Sequence, residues 1–240
     1  MPDRWRPSSV SRARRPRRAI LSADRPTKAH PPEPARRLGV VSLGFVRQPR
    51  LRALCAAAGW RVVPGSTACD AIGVWGRRPV SRRGLFAAKA LGKPVVTIED
   101  GFLRSVRPGP GEPLVSLIFD DFGVHYDYAA PSRLERLIED GAGDEERAAR
   151  VIDRLRSLRL SKYNAGAELA SPPEGHVLLI DQKPGDASLA YGGAGPATFR
   201  RMLDAALADH PHADVIVKTH PDAQRGHFAD IAHADRVRVI

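Results

Sequence analysis

The strongest constraint on the fold lies where an apolar run meets a carboxylate and a glycine-rich loop. Residues 176–180 read His-Val-Leu-Leu-Ile, Asp181 follows at once, and a polar loop rich in glycine continues to Pro196, before a helical pattern that starts at Ala197. Open parallel sheets bind ligands at the carboxyl ends of their strands, where loop N–H groups and helix N-termini face one crevice. The pattern therefore predicts an α/β fold with a ligand site after this strand, and the residues of that site must identify the chemistry.

The chain from Leu38 onward repeats short apolar runs and helical stretches. Predicted strands lie at 38–45, 60–63, 71–75 and 95–98, and predicted helices at 49–58 and 81–91, with Ser81 as the cap of the second helix. Strands that alternate with helices of about ten residues indicate βαβ units and a parallel sheet.

A second block of alternation follows a less regular middle section. Residues 99–127 are rich in Gly, Pro, Asp and aromatic side chains, which predicts loops with one short strand at 114–119. Helices are then predicted at 132–140, opened by a capping box of Ser132 and Glu135, and at 144–160, opened by Asp144. After a linker candidate at 170–175, the predicted elements are strands at 176–180, 214–218 and 237–240 and a helix at 197–208.

This organisation predicts two Rossmann-like domains. The N-terminal domain covers residues 38–170, and the first part of a C-terminal domain covers 171–240. Three strands are fewer than the five or six of an average sheet. We therefore expect the second domain to be incomplete in this chain.

The net charge of +11 comes mainly from one segment. Residues 1–37 hold 11 Lys and Arg against 3 Asp and Glu, which leaves 27 basic and 24 acidic residues for the rest of the chain. The segment also contains seven prolines and little apolar content, so it cannot bury enough surface to offset its ordering entropy. We predict a disordered basic tail over 1–37 and a nearly neutral body.

The cysteines and the hydropathy pattern indicate a cytoplasmic protein. No apolar run approaches the roughly 20 residues that span a bilayer, and no export signal is recognised. Cys55 and Cys69 form neither a disulfide framework nor a CxxC pair. Cys55 lies in an apolar run and is predicted to be a core residue rather than a nucleophile.

Two carboxylates follow predicted strands of different domains. Glu99 follows the strand at 95–98, and Asp181 follows the strand at 176–180. Carboxylates brought together across a cleft can supply a nucleophile and a general acid/base. A structural interpretation is also open, in which Glu99 pairs with Arg104 and Asp181 caps its own loop.

Charged residues at other strand ends extend this list of candidates. Lys218 and His220 can offset a phosphate charge, although His220 can equally bond backbone in a turn. Arg104 can bind a carboxylate bidentately or form an exposed salt bridge. Asp120 and Asp121 resemble a metal pair, but no His or Glu at ligand spacing supports them, so a solvated turn is favoured.

Several separate motifs then carry a family resemblance, listed here in chain order: Ile98–Ser105, Pro113–Asp127, Pro131–Glu135, Leu160–Asn164, Ile180–Gln182, Gly185–Ser188 and Val217–Asp222. Their order and spacing resemble the capsule polysaccharide synthesis family, and within it the first transferase module of the capsular polysaccharide β-Kdo transferases. The resemblance extends over roughly Leu38 to Ile240. Within that range Tyr126, Lys162 and Tyr163 match family positions, and we assign them packing roles.

The resemblance implies a GT-B fold, with two Rossmann-like domains facing across a cleft. It also implies a retaining glycosyltransferase that moves Kdo from CMP-Kdo to a lipid-linked acceptor of the phosphatidylglycerol type. Such an enzyme would act in the cytoplasm, peripherally at the inner membrane and near the capsule export machinery. Neither a metal nor another cofactor is implied.

The same resemblance assigns roles to individual residues. Asp181 matches the nucleophile, Glu99 the general acid/base and His220 a donor-side partner. The candidate donor-binding residues are Arg104, Gln182, Gly185, Asp186, Ser188 and Lys218.

Two other classes of function stay open. The first is an inactive or export-associated binding protein that keeps the fold, which the expected truncation favours. The second is a nucleic-acid or anionic-membrane binder that acts through the basic tail, whose contacts would weaken steeply with salt. The family resemblance favours the transferase, and because the charge of the body is nearly balanced we predict no nucleic-acid partner.

Overall fold

The computed structural model describes residues 35–65, 67–109, 111–165, 174–220, 226–228 and 235–240. Most of the predicted basic tail, 1–34, and residues 170–173 of the predicted linker at 170–175 lie outside these ranges. Arg36 and Arg37, which the tail prediction includes, instead begin the first strand. They are held there because the Arg36 guanidinium lies 4.1 Å from the centroid of the Trp60 ring and Arg37 pairs with Asp70.

The first sheet has five strands in the order β2-β1-β3-β4-β5. These strands are β1 Arg36–Val40, β2 Trp60–Pro64, β3 Ala71–Trp75, β4 Val95–Asp100 and β5 Leu117–Asp120. Strands β1 to β4 pair in parallel, as predicted, and β5 runs antiparallel along the edge of β4. This strand differs from the predicted parallel pattern because the chain returns directly beside β4 without a crossover helix. Helices α1 Leu43–Arg47, α2 Pro49–Ala57 and α3 Arg82–Leu91 lie between the parallel strands in the chain.

Two local predictions in this sheet are wrong. The strand predicted at 38–45 ends at Val40 and is followed by α1, where Phe45 packs edge-on against Trp75 with ring centroids 5.6 Å apart. Ser81 does not cap α3, because its backbone is already helical and its hydroxyl donates to the Trp75 carbonyl. The Phe45 and Ser81 side chains thus both contact Trp75 at the end of β3, close to the candidate site.

The capping residues predicted for the middle helices are confirmed. Helix α4 covers Arg133–Glu139, and Ser132 and Glu135 form both hydrogen bonds of the capping box. Helix α5 covers Glu145–Ser157, and Asp144 accepts a hydrogen bond from the Arg147 backbone N–H.

The second sheet has three parallel strands in the order β6-β7-β8. They are β6 His176–Ile180, β7 Asp214–Lys218 and β8 Val237–Val239, with helices α6 Ala187–Tyr191 and α7 Pro196–Asp209 between the first two. Phe199, Leu203 and Ala206 of α7 pack into a separate core with Val215 and Val217. The sheets are distinct, and both belong to one compact unit, Pro34–Ile240. The domain limits at 170 and 171 stay a prediction.

Cys55 is a core residue of the first sheet. Its side chain is fully buried beside Leu51 and Trp60. Burial raises the pKa of the Cys55 thiol to about 11, so this thiol stays protonated at neutral pH. Across the described ranges, we find no helix with the length and apolar character needed to cross a membrane.

Candidate functional site

A cleft of about 620 Å³ lies at the carboxyl ends of β4 and β6. Glu99 and Asp100 reach it from the end of β4, Arg78 from the turn after β3, and His220 from just beyond β7. The glycine-rich loop after β6 lines the opposite side with residues that include Gln182, Lys183, Gly185, Asp186 and Ser188. Strand ends and a helix-entry loop therefore meet at one crevice, which is the usual position of an α/β ligand site.

Glu99 presents its carboxylate to this cleft. The Tyr126 hydroxyl donates to Glu99 Oε1 at 2.7 Å, and the Arg77 backbone N–H donates to the phenol oxygen at 3.1 Å. Burial of Tyr126 and its hydrogen bond to Glu99 both raise the pKa of the phenol far above its usual range. The predicted pairing of Glu99 with Arg104 does not form, because the salt bridge of Arg104 goes to Asp100.

Asp181 lies behind the cleft and does not line it. Its side chain is 0% exposed, and Oδ1 lies 2.8 Å from His227 Nδ1 and accepts the Gln182 N–H at 2.7 Å. Oδ2 accepts the His227 backbone N–H at 3.0 Å. The His227 ring stacks on Phe199 with ring centroids 3.9 Å apart, so the turn at 226–228 encloses the carboxylate.

The loop that follows Asp181 supplies most of the predicted donor-binding residues. Asp186 caps α6 by accepting the Ser188 backbone N–H at 2.9 Å and the Ser188 hydroxyl at 2.8 Å. Burial acts to raise the pKa of Asp186, but these hydrogen bonds more than offset it, so the pKa lies below the ordinary value of 3.8. Asp186 is thus an anion at the rim of the cleft.

The charges that line the cleft are balanced. Arg78, Lys162 and Lys183 oppose Glu99, Asp100 and Asp186, and His125 and His220 complete the ionisable residues. Such a lining of mixed charge suits a ligand that offers both hydroxyl groups and anionic groups. It does not resemble the basic stripe that binds a nucleic-acid backbone.

Arg104 and Lys218 lie away from this cleft. Arg104 is 9% exposed and lines an adjoining cavity of about 500 Å³, where its Nε lies 3.5 Å from Asp100 Oδ2. The Lys218 ammonium donates to the Thr219 carbonyl and faces solvent. Of the nine predicted site residues, six line the cleft: Glu99, His220, Gln182, Gly185, Asp186 and Ser188.

Several residues of the cleft were missed or misassigned from the sequence. Tyr126, Lys162 and Tyr163 were assigned packing roles, and all three line the cleft. They belong to the motifs that carry the family resemblance, and that signal could have placed them at the site. Arg78 and Lys183 have no such context, because only folding brings the turn after β3 opposite the loop after β6.

Asp120 and Asp121 organise a turn. Asp120 is 3% exposed and accepts the backbone N–H groups of Phe122, Gly123 and Arg133. The prediction that this residue lies in a solvated turn is therefore wrong. Asp121 forms a two-bond pair with Arg133. The hydrogen bond and charge of Arg133 lower the pKa of Asp121 despite partial burial.

Two largely parallel sheets with a cleft at their strand ends define a GT-B-like fold. The model of the family described as "Capsule polysaccharide biosynthesis protein" matches residues 70–170 and 157–234. The chain belongs to this capsule polysaccharide biosynthesis family.

Named relatives and solved structures agree with this assignment. The capsule polysaccharide modification protein LipA of Neisseria meningitidis serogroup B is 39% identical over 188 residues, which is 71% of this chain and 27% of LipA. The lipopolysaccharide-processing protein LpsZ of Rhizobium meliloti is 35% identical over 66% of this chain and 38% of its own length. The chain therefore spans well under half of these curated relatives.

Two solved structures of Kdo transferases are similar to this chain. Thermosulfurimonas dismutans KpsC, beta Kdo 2,4 transferase, matches with a TM-score of 0.76 and 34% identity, over 86% of this chain and 68% of that chain. The beta Kdo 2,7 transferase of the same organism matches with a TM-score of 0.53 at 20% identity, a likeness of fold alone.

Proposed function

We propose that this chain carries a retaining β-Kdo transferase site that moves Kdo from CMP-Kdo to a lipid-linked acceptor during capsule biosynthesis. The observation that carries the proposal is the cleft itself. It brings Glu99, His220 and the loop 182–188 together at the ends of strands from two sheets. The similarity to a beta Kdo 2,4 transferase at 34% identity supplies the substrate class.

In the proposed reaction, retention follows from two displacements. The Asp181 carboxylate attacks the anomeric carbon of Kdo while the bond to the CMP phosphate oxygen breaks and CMP leaves. The acceptor hydroxyl then attacks the same carbon, its proton passes to Glu99, and the bond to Asp181 breaks. His220, Gln182 and the loop N–H groups at 185 and 187 would hold the phosphate and the sugar carboxylate. No metal enters this scheme.

In this scheme Asp181 can react only after a conformational change. Its carboxylate is fully enclosed by the turn that carries His227, so this turn must withdraw before the carboxylate can reach a donor. We propose that donor binding displaces this turn and frees Oδ2, while Oδ1 keeps the Gln182 N–H.

The adjoining cavity fits the acceptor side of the same proposal. It shares Arg78, Asp100, Tyr163 and Lys183 with the cleft and is walled by the Phe45–Trp75 pair. Within the described part of the chain, Asp100 Oδ1 is buried and lacks a hydrogen-bond partner. A buried hydrogen-bond acceptor without a donor costs about 1–3 kcal/mol. A hydroxyl group of the acceptor substrate is therefore a suitable partner for Asp100 Oδ1. Arg104 pairs with the other oxygen of Asp100, Oδ2. We therefore place Arg104 on the side of the site that binds the acceptor substrate. Lys218 is left without a direct role.

The remaining partners are proposed from the same resemblance. They are a phosphatidylglycerol-type acceptor lipid, the cytoplasmic surface of the inner membrane and the capsule export machinery. The enclosed Asp181 also favours a second candidate, a protein that binds CMP-Kdo without turning it over.

Incubation of the purified chain with CMP-Kdo and a synthetic lipid-linked acceptor tests both candidates. We expect CMP release coupled to one added Kdo per acceptor. Saturable CMP-Kdo binding without product would support the binding protein, and neither binding nor product would overturn both.

A further inference from the structure

Gly76 lies against the carboxylate that the proposed reaction uses as its acid/base. It follows β3 directly, has a positive φ of 51°, and its N–H donates to the Ile98 carbonyl at 3.0 Å. A Cβ atom at this position would lie 1.9 Å from Glu99 Oε1 and 2.7 Å from the Tyr126 hydroxyl. Because Gly76 has no side chain, the Glu99 carboxylate and the Tyr126 hydroxyl have room to meet beside it.

Tyr126 lies between a backbone N–H and the Glu99 carboxylate and bonds to both. The Arg77 backbone N–H can only donate, so the phenol oxygen is its acceptor. The phenol proton then points to Glu99 Oε1 at 2.7 Å. Oε1 is consequently the acceptor of the phenol proton, and among the described residues none forms a hydrogen bond with Oε2.

We infer that Gly76 and Tyr126 are positioning residues that fix Glu99 with Oε1 held by the phenol and Oε2 presented to the cleft. The catalytic meaning of this inference rests on the proposed function. In the second displacement, the acceptor O–H bond breaks and its proton arrives at Oε2, because Oε1 is already occupied by the phenol proton. In this arrangement Tyr126 acts through Glu99.

Two glycines provide a matched pair of variants. Gly76 and Gly92 have similar positive φ values of 51° and 59°, but a Cβ at Gly92 meets nothing within 4 Å. Gly76→Ala and Gly92→Ala therefore carry similar backbone strain, and only the first displaces Glu99. The displaced atom is the end of a flexible side chain, so we expect Gly76→Ala to move the carboxylate and keep the fold.

Two tyrosines provide a second pair. Tyr126→Phe removes the phenol proton from Glu99, whereas Tyr128→Phe removes a hydroxyl from a side chain that is 78% exposed. A hydrogen bond to a charged group is worth roughly tenfold to a hundredfold. We expect Gly76→Ala and Tyr126→Phe to lower kcat by about that factor with an unchanged KM for CMP-Kdo, and the two controls to match the wild type.

A spectroscopic readout tests the contact without any need for turnover. In protein labelled with 13C at the tyrosine Cζ, Glu99→Ala identifies the Tyr126 signal, since it removes the acceptor of that phenol. We expect Gly76→Ala to move the same signal in the same direction and Gly92→Ala to leave it in place.

The outcomes separate this inference from the proposed function. A Tyr126 signal that Gly76→Ala leaves unmoved overturns the positioning role, whatever the activity. A moved signal with a wild-type kcat in Gly76→Ala also overturns it. A moved signal in a chain whose wild type transfers no Kdo supports the geometry and removes the proposed function instead.

Discussion

Glu99 and Asp181 occupy equivalent places in the two sheets and have opposite surroundings. Each carboxylate lies at the end of a parallel strand. Glu99 faces the cleft and accepts one side-chain hydrogen bond, from Tyr126. Asp181 is fully enclosed and has three hydrogen-bond partners, two of them atoms of His227. The strand end decides which edge of the sheet a carboxylate reaches, and the segment that covers this edge decides whether a substrate can reach it.

Glu99 and Asp181 therefore have different roles before a substrate binds. Glu99 can be replaced by an amide that still accepts the Tyr126 proton, so its loss should affect chemistry and not folding. Asp181 satisfies buried donors, so its loss should affect folding as well as chemistry.

The largest expected effect is on transfer. Glu99→Gln should lower kcat for Kdo transfer by about 10²- to 10⁴-fold, because general acid/base help is worth that much. CMP release and product formation measured together check this, with Tyr128→Phe as the unaffected control. Wild-type turnover in Glu99→Gln would contradict the proposed acid/base role of Glu99.

The next effect concerns stability. Asp181→Ala should lower the free energy of unfolding by about 2–4 kcal/mol, because it leaves buried N–H donors of Gln182 and His227 without an acceptor. Glu99→Gln should stay within about 0.5 kcal/mol of the wild type. Urea unfolding with equal m-values measures both, and equal stabilities of the two variants would contradict the assignment.

A smaller effect tests the enclosure of Asp181. His227→Ala removes the Nδ1 contact and the stack on Phe199, which together should favour the open turn by about 1–2 kcal/mol. The rate of donor cleavage should then rise by about fivefold to thirtyfold. A rate that falls instead would show that His227 assists the reaction and does not restrain it.

The smallest effect belongs to a third carboxylate, Asp186, at the rim of the cleft. Its pKa is lowered in the folded chain, so its stabilisation is present at neutral pH and is lost as the pH falls through the depressed value. Ser188→Ala removes one of the two donors and should cost about 0.5–1 kcal/mol at pH 7. This cost should shrink toward zero well below pH 3.8. Unfolding curves of both proteins across that range measure it.

The fold was largely predictable because its signals are local. Apolar runs placed seven of the eight strands closely, and Ser132 and Asp144 marked helix starts through their caps. The strand predicted at 38–45 failed because tertiary packing of Phe45 on Trp75 overrides the local pattern.

The site was only partly predictable because its decisive contacts join distant segments. Glu99 and the loop after Asp181 could be located from strand ends and motifs. The enclosure of Asp181 depends on His227, which is 46 residues away in the chain, and the partner of Glu99 is 27 residues away. Neither pairing leaves a periodic or spacing signal in the sequence.

Intact-mass analysis of Glu99→Gln after incubation with CMP-Kdo tests the central claim most directly. With acid/base help removed, the second displacement slows, and we predict that a Kdo adduct accumulates and maps to Asp181 after proteolysis. This result would show that both carboxylates serve one cleft and that the turn at His227 opens. An adduct on another residue, or no adduct on any residue while CMP is still released, would contradict the account.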